Sequence, residues 1–167
     1  MPDNERRQNK MIKFSVSRVE KEPVFLEGSE PPEFWGLPEN DTFSSETPVN
    51  YELQVKAAAG SILVTGRVQG KVAASCGRCL EPVELEICAE NIELYYAKSD
   101  ITDEELDITA DVRDELLIEL PMNPLCSDDC QGLCPVCGTN RNLKKCQCSR
   151  QGNLAWSALD AIITEEK

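Results

Sequence analysis

Six cysteines fall between residues 126 and 148, in the run Cys126-Ser-Asp-Asp-Cys130-Gln-Gly-Leu-Cys134-Pro-Val-Cys137 and then Cys146-Gln-Cys148. A tail this rich in thiols either crosslinks or collects a metal, and both outcomes impose a compact, turn-rich segment. The strongest single piece is Cys134-Pro-Val-Cys137-Gly138. Two thiolates three residues apart around a tight turn reach one ion, and the trailing glycine accepts the positive φ that such a turn needs. This pair is half of a site. The other half comes from Cys126 and Cys130, from Cys146 and Cys148, or, less favourably, from Cys76-Gly-Arg-Cys79 far upstream. Because the chain contains no histidine, zinc here would be held by four sulfurs at roughly 2.3 Å in a closed tetrahedron. Closed sites are structural, whereas catalytic zinc keeps one position open for water.

With 167 residues, the chain is long enough to bury a core, as one domain or as one domain with a small appendage. The opening Met1 to Lys10 is polar and mixed in charge, without an apolar stretch of signal or membrane-span length, so a cytoplasmic, reducing compartment is expected. Nine cysteines then read as thiols and metal ligands instead of a disulfide scaffold. The net charge of −13 is uneven: Glu81 to Glu119 holds fourteen acidic residues against Lys98 and Arg113. Between Gly138 and Arg150 the balance reverses, with Arg141, Lys144, Lys145 and Arg150 lacking an acidic counterpart. Most of such a surface repels a bare phosphate backbone. The expected partner is therefore basic, the competing reading being a solvated face that only confers solubility.

Along the chain, Met11 to Val19 alternates loosely as a first strand, and 20–49, with five prolines, reads as a long, mostly irregular connection whose Phe25, Phe34, Trp35 and Phe43 still pack onto the domain. From Asn50 to Ala97 the apolar period is two, which predicts an antiparallel meander with one buried face. Ala59-Gly60-Ser61 marks a hairpin turn, and the change of apolar parity between Ile87 and Ile92 predicts a bulge or break near Ala89. Cys76 and Cys79 lie in a connection between strands, and Cys88 reads as a small packing residue within one. Thr109 is placed as the cap of a helix with an inward stripe of Val112, Leu116 and Leu120, stopped by Pro121. Asn153 begins a short C-terminal helix. The expected fold class is α+β: an antiparallel meander or partly closed sheet packed by one or two helices over 1–125, a small cysteine-rich zinc knuckle over 126–150, and a helix over 151–167.

Enzyme chemistry finds little support in these residues. Cys130-x3-Cys134-x2-Cys137 has the spacing by which radical S-adenosylmethionine enzymes hold an iron-sulfur cluster, but no large α/β barrel surrounds it. Cys76-Gly-Arg-Cys79 has redox spacing, with Arg78 beside it, yet it joins strands and does not open a helix. No histidine-based triad and no phosphate loop can be assembled, and plentiful carboxylates without an apolar pocket do not imply acid-base work. The chain reads as a binding or assembly protein with no small-molecule substrate and no membrane partner. A third reading is a zinc-bearing structural or interaction protein whose knuckle only closes a small domain.

Three segments together resemble one family. They are Cys76-Gly-Arg-Cys79-Leu80-Glu81-Pro82-Val83, the stretch from Asp111 through Pro121 and Pro124 to Cys126, and Gly132-Leu-Cys-Pro-Val-Cys-Gly138-Thr-Asn140-Arg-Asn142 with Cys146 and Cys148. The chain is similar here to the YceD-like family, the large ribosomal RNA subunit accumulation proteins, over roughly Val49 to Cys148. Gly77 and Gly152-Asn153 depart from the family pattern. The resemblance implies a non-enzymatic cytoplasmic factor, with plastid relatives, that supports 23S rRNA accumulation and large-subunit biogenesis. Its expected partner is a ribosomal protein or a pre-50S particle, reached through the acidic face, with Arg78, Arg141, Lys144 and Lys145 as candidate local contacts to rRNA.

Overall fold

The structure, a computed structural model, describes residues 12–38 and 42–148; the C-terminal helix expected over 151–167 lies outside them. The main sheet is built from β2 (Val24–Glu30), β3 (Phe43–Ser44), β4 (Val49–Ala58), β5 (Ser61–Ser75) and β6 (Pro82–Ala97). All pairings are antiparallel. β6 runs along the whole length of one edge of β5, from Ser61↔Ala97 to Ser75↔Pro82. Along the other edge β4 takes Ser61 to Gln69 and β3 takes Ala73 and Ala74, and β2 closes the far side of β4. The sheet is open: among the described residues β2 and β6 each have a single strand partner along their length. A second, two-stranded sheet pairs β1 (Lys13–Ser15) with β7 (Glu105–Asp107), flanked by the helical turn α1 (Val16–Val19) and by α2 (Thr109–Ile118).

One face of the main sheet is apolar and the other faces water, as alternation requires. Val49, Tyr51, Leu53 and Val55 of β4, with Ile62, Val64, Val68 and Val72 of β5, are buried against Ile12, Phe14 and Val19, Trp35 from the 3-10 turn Pro32–Trp35, and Val112 and Leu116 of α2. The α+β expectation therefore holds, as does the two-residue turn at Ala59 and Gly60. The parity change in β6 is a bulge: Glu90 and Asn91 together face Arg67, between the pairs Val68↔Ala89 and Gly66↔Ile92. Beside it the backbones crowd so closely that a Cβ on Gly66, at φ +151, would lie 2.1 Å from the Glu52 carbonyl oxygen. Only a residue without a side chain fits that crossing.

Three local expectations are corrected. The stretch 20–49, expected as a long, mostly irregular connection, carries β2, the 3-10 turn and β3. β2 escapes sequence reading because Gly28 and Glu30 occupy its inward positions, opposite Tyr51 and Val49, while Pro23 and Pro31 flank it without entering it. The first strand stops at Ser15, where its three-residue partner β7 runs out and the chain turns into α1. Thr109 is the first residue of α2 and not its cap: the Asp107 carboxylate accepts from the Thr109 backbone N–H at 2.9 Å and from its hydroxyl at 2.6 Å.

Partial burial acts to raise the Asp107 pKa, but the Thr109 hydrogen bonds and Lys13 outweigh it and hold the carboxyl below its usual value. Its contribution is thus present above the unfolded value of about 3.9 and is lost as the pH falls through the folded value. Asp107→Ala should cost roughly 1 kcal/mol at pH 7, read from denaturant midpoints. The gap to the wild type should close on acidification below about pH 4.

Candidate metal centre

The connection from β5 to β6 is a turn with a defined hydrogen-bond pattern. The Leu80 N–H donates to the Cys76 carbonyl at 2.9 Å, and the Cys76 N–H donates to the Glu81 carbonyl at 2.8 Å, extending the ladder one step past Ser75↔Pro82. Leu80 sits at φ +62. The tail repeats the same pattern: the Gly138 N–H donates to the Cys134 carbonyl at 2.8 Å, the Cys134 N–H donates to the Thr139 carbonyl at 2.8 Å, and Gly138 has φ +70. Bond for bond these are the same turn, presenting Cys76 with Cys79 in one copy and Cys134 with Cys137 in the other. Sequence alone marked the second because its left-handed position is glycine. In the first, leucine occupies that position and removes the signal.

Each turn meets a second cysteine pair, so two quartets form. Cys134 and Cys137 lie with Cys146 and Cys148, and Cys76 and Cys79 lie with Cys126 and Cys130; within each quartet the four sulfurs are all within 4.8 Å of one another. Each quartet can hold a metal ion. The single half-site anchored on Cys134 and Cys137 thus finds its other half in Cys146 and Cys148, while Cys126 and Cys130 pair with the upstream cysteines that the sequence ranked last. Cys130-x3-Cys134-x2-Cys137 is divided between the two quartets. Cys88 belongs to neither; it is half-buried on the water-facing side of β6.

The first quartet is the more enclosed, with Cys76, Cys79 and Cys130 buried and only Cys126 exposed. Its electrostatics are in conflict. The Arg78 backbone N–H, the largest cause, holds Cys76 down at about 6. The Glu81 N–H favours the Cys79 thiolate, but burial and the neighbouring sulfurs outweigh it and push that thiol up to about 12. In the second quartet the Thr139 hydroxyl, 3.2 Å from the Cys137 sulfur, is the main reason Cys137 falls to about 6. The Cys137 sulfur in turn drives Cys148 up to about 12. Four sulfurs this close cannot all ionise on their own, whereas a dication at their centre stabilises every thiolate together.

The hairpin tip and the tail are stitched together. The Leu133 N–H donates to the Arg78 carbonyl at 3.0 Å, and the Gly77 N–H to the Pro124 carbonyl at 2.8 Å. Arg78 itself, expected as a partner contact, places Nη1 on the carbonyls of Asp128 and Cys130 at 3.0 and 3.2 Å, and so braces the tail from within. Arg141, Lys144 and Lys145 are exposed. Asn142, the last residue of the Gly132 to Asn142 segment, accepts from the Gln131 N–H at 2.7 Å and donates from Nδ2 to the Cys130 sulfur at 3.3 Å.

A family model described as "Large ribosomal RNA subunit accumulation protein YceD" matches residues 64–162, a span that includes both cysteine turns. An uncharacterized protein of Mycobacterium tuberculosis is 32% identical over 103 residues, 54% of this chain and 50% of its own length. One from Mycobacterium leprae is 32% identical over 139 residues, 75% of this chain and 56% of its own. The chloroplastic large ribosomal RNA subunit accumulation protein YCED homolog 1 of Arabidopsis thaliana is 38% identical over 47 residues, 28% of this chain and 15% of its own. The chain spans about half the length of the mycobacterial relatives. No solved structure matches it.

Leu80 is 65% exposed, so its packing contributes little and its backbone conformation dominates the effect of replacing it. Leu80→Val, which adds branching at a left-handed position, should lower stability by roughly 1–2 kcal/mol. Leu80→Gly should cost nothing or stabilise slightly. Denaturant midpoints of the two variants, measured side by side with the wild type, check this ordering.

Proposed function

The chain belongs to the YceD family, and from that membership we propose that it is a non-enzymatic factor supporting 23S rRNA accumulation and large-subunit assembly by engaging a basic ribosomal protein. The observation that carries this reading is the water-facing side of the main sheet. Glu27 of β2, Glu52 of β4 and Glu84, Glu86, Glu90 and Glu93 of β6 all project from it. Arg67 is held by Glu52 at 2.9 Å and Lys71 by Glu84 at 3.1 Å. Glu27, Glu86, Glu90 and Glu93 remain outside any ion pair among the described residues. Phe25 and Tyr95, 73% and 65% exposed, stand on the same face. Carboxylates interleaved with aromatic rings suit an arginine- and lysine-rich protein segment, because the rings accept the apolar stems and the cation faces while the carboxylates take the charge.

The cysteine-rich tail gives the face a stiff neighbour. In this reading Cys134, Cys137, Cys146 and Cys148 hold a structural Zn2+, whose closed shell leaves no position for a reacting water. Exposed Arg141, Lys144 and Lys145 favour a second, local contact with an rRNA backbone at that end of the molecule. No helix among the described residues is long and apolar enough to cross a membrane. A reducing compartment such as the cytoplasm keeps the quartets available to metal.

The full chain should sediment with precursors of the large subunit at low salt and dissociate as salt rises. The triple change Glu86→Lys, Glu90→Lys and Glu93→Lys should weaken that association roughly tenfold or more, since each reversal removes an attraction and adds a repulsion. Capture at low salt that returns neither ribosomal proteins nor rRNA would end this proposal.

A further inference from the structure

We infer that Cys76, Cys79, Cys126 and Cys130 hold a second Zn2+, which fastens the tail to the tip of the β5–β6 hairpin, and that Asn142 couples this ion to the one in the other quartet. Geometry comes first. Sulfurs bound to zinc at roughly 2.3 Å in a tetrahedron are separated along its edges by about 3.8 Å. Here the Cys76 and Cys130 sulfurs are 3.8 Å apart and those of Cys79 and Cys126 are 3.6 Å apart. A disulfide would need about 2.05 Å.

The turn supplies a second, independent observation. Leu80 is one of only two residues other than glycine with positive φ among the described residues, and it lies where the zinc-type turn of the tail places Gly138. A bulky residue persists in that conformation only where its surroundings over-determine it. The Leu80 N–H to Cys76 and Cys76 N–H to Glu81 bonds shape the turn, and an ion drawing Cys76 and Cys79 to one point would hold it further.

The coupling follows from where Asn142 sits. It belongs to the segment between Cys137 and Cys146, which closes the second quartet, yet its amide donates to Cys130 of the first and its oxygen accepts from Gln131. A donor to a ligating sulfur steadies that ligand and moderates its charge. Filling the second quartet fixes the loop that carries Asn142 and so prepares the first, and by linkage the effect is reciprocal. Asn142 is a positioning residue; it is not itself a ligand.

Native mass spectrometry of the full chain, prepared with reductant and saturated with Zn2+, should show two ions per chain. Cys76→Ser with Cys130→Ser should retain one, and Cys134→Ser with Cys137→Ser should retain the other. Should the first variant fail to fold, the wild-type stoichiometry and a Co2+ titration of Asn142→Ala decide the matter. In that titration the sulfur-to-cobalt absorption should still reach two equivalents, with the weaker step shifted about 10–100-fold to higher Co2+. A single zinc at saturation, or an iron-sulfur chromophore in the native protein, overturns the second site. Two unshifted Co2+ steps in Asn142→Ala overturn the coupling. These outcomes are read without any ribosomal partner, so they stand or fall apart from the assembly role.

Discussion

The ladder between β5 and β6 is the interaction on which the rest of this molecule depends. It runs unbroken by any turn from Ser61↔Ala97 to Ser75↔Pro82, with a single bulge. One side of it supplies the inward row that buries Trp35 and the α2 stripe, and the other supplies the acidic row of β6. Its far end delivers two thiols at a fixed spacing. Core, charged face and half of a sulfur quartet are therefore set by one register, and a slip of one residue would exchange the two faces along the whole strand.

What sequence could disclose depended on whether the signal was local. The period of two, the parity change at the bulge and the Gly138 turn are each written within a few residues, and the structure displays all three. β2 was hidden because its inward positions include a glycine and a glutamate, whose acceptability is decided by Tyr51 and Val49 on another strand. The pairing of Cys76 and Cys79 with Cys126 and Cys130 was hidden twice over, by a leucine in the glycine position and by partners some fifty residues away. Asp107 supports α2 from two residues before the helix starts, while the adjacent threonine offered the more familiar cap. In each miss a tertiary neighbour decided what a local propensity could not.

The two ends of the charge distribution now have separate scaffolds. Carboxylates project from a sheet, where backbone hydrogen bonds fix their spacing, and the exposed cations Arg141, Lys144 and Lys145 project from the loop between Cys137 and Cys146 of the second quartet. Opposite charges on one small protein usually neutralise one another across the surface. Here Arg67 with Glu52 and Lys71 with Glu84 tie neighbouring strands of the sheet, Lys13, Arg18, Lys98 and Arg113 pair with acidic residues elsewhere, and none of these pairs among the described residues takes up a cation of the tail.

The sequence distance across the first quartet also has a temporal meaning. Cys79 and Cys126 are 47 residues apart, and Cys76 and Cys130 are 54 apart, whereas the second quartet is confined to the short stretch from Cys134 to Cys148. Closing the longer loop costs more chain entropy. During synthesis the hairpin leaves the ribosome before the tail does, and the set can be completed only once Cys130 has emerged. The sheet thus acts as a mould, and the cysteine-rich tail, made after it, takes its shape from a surface that was finished earlier.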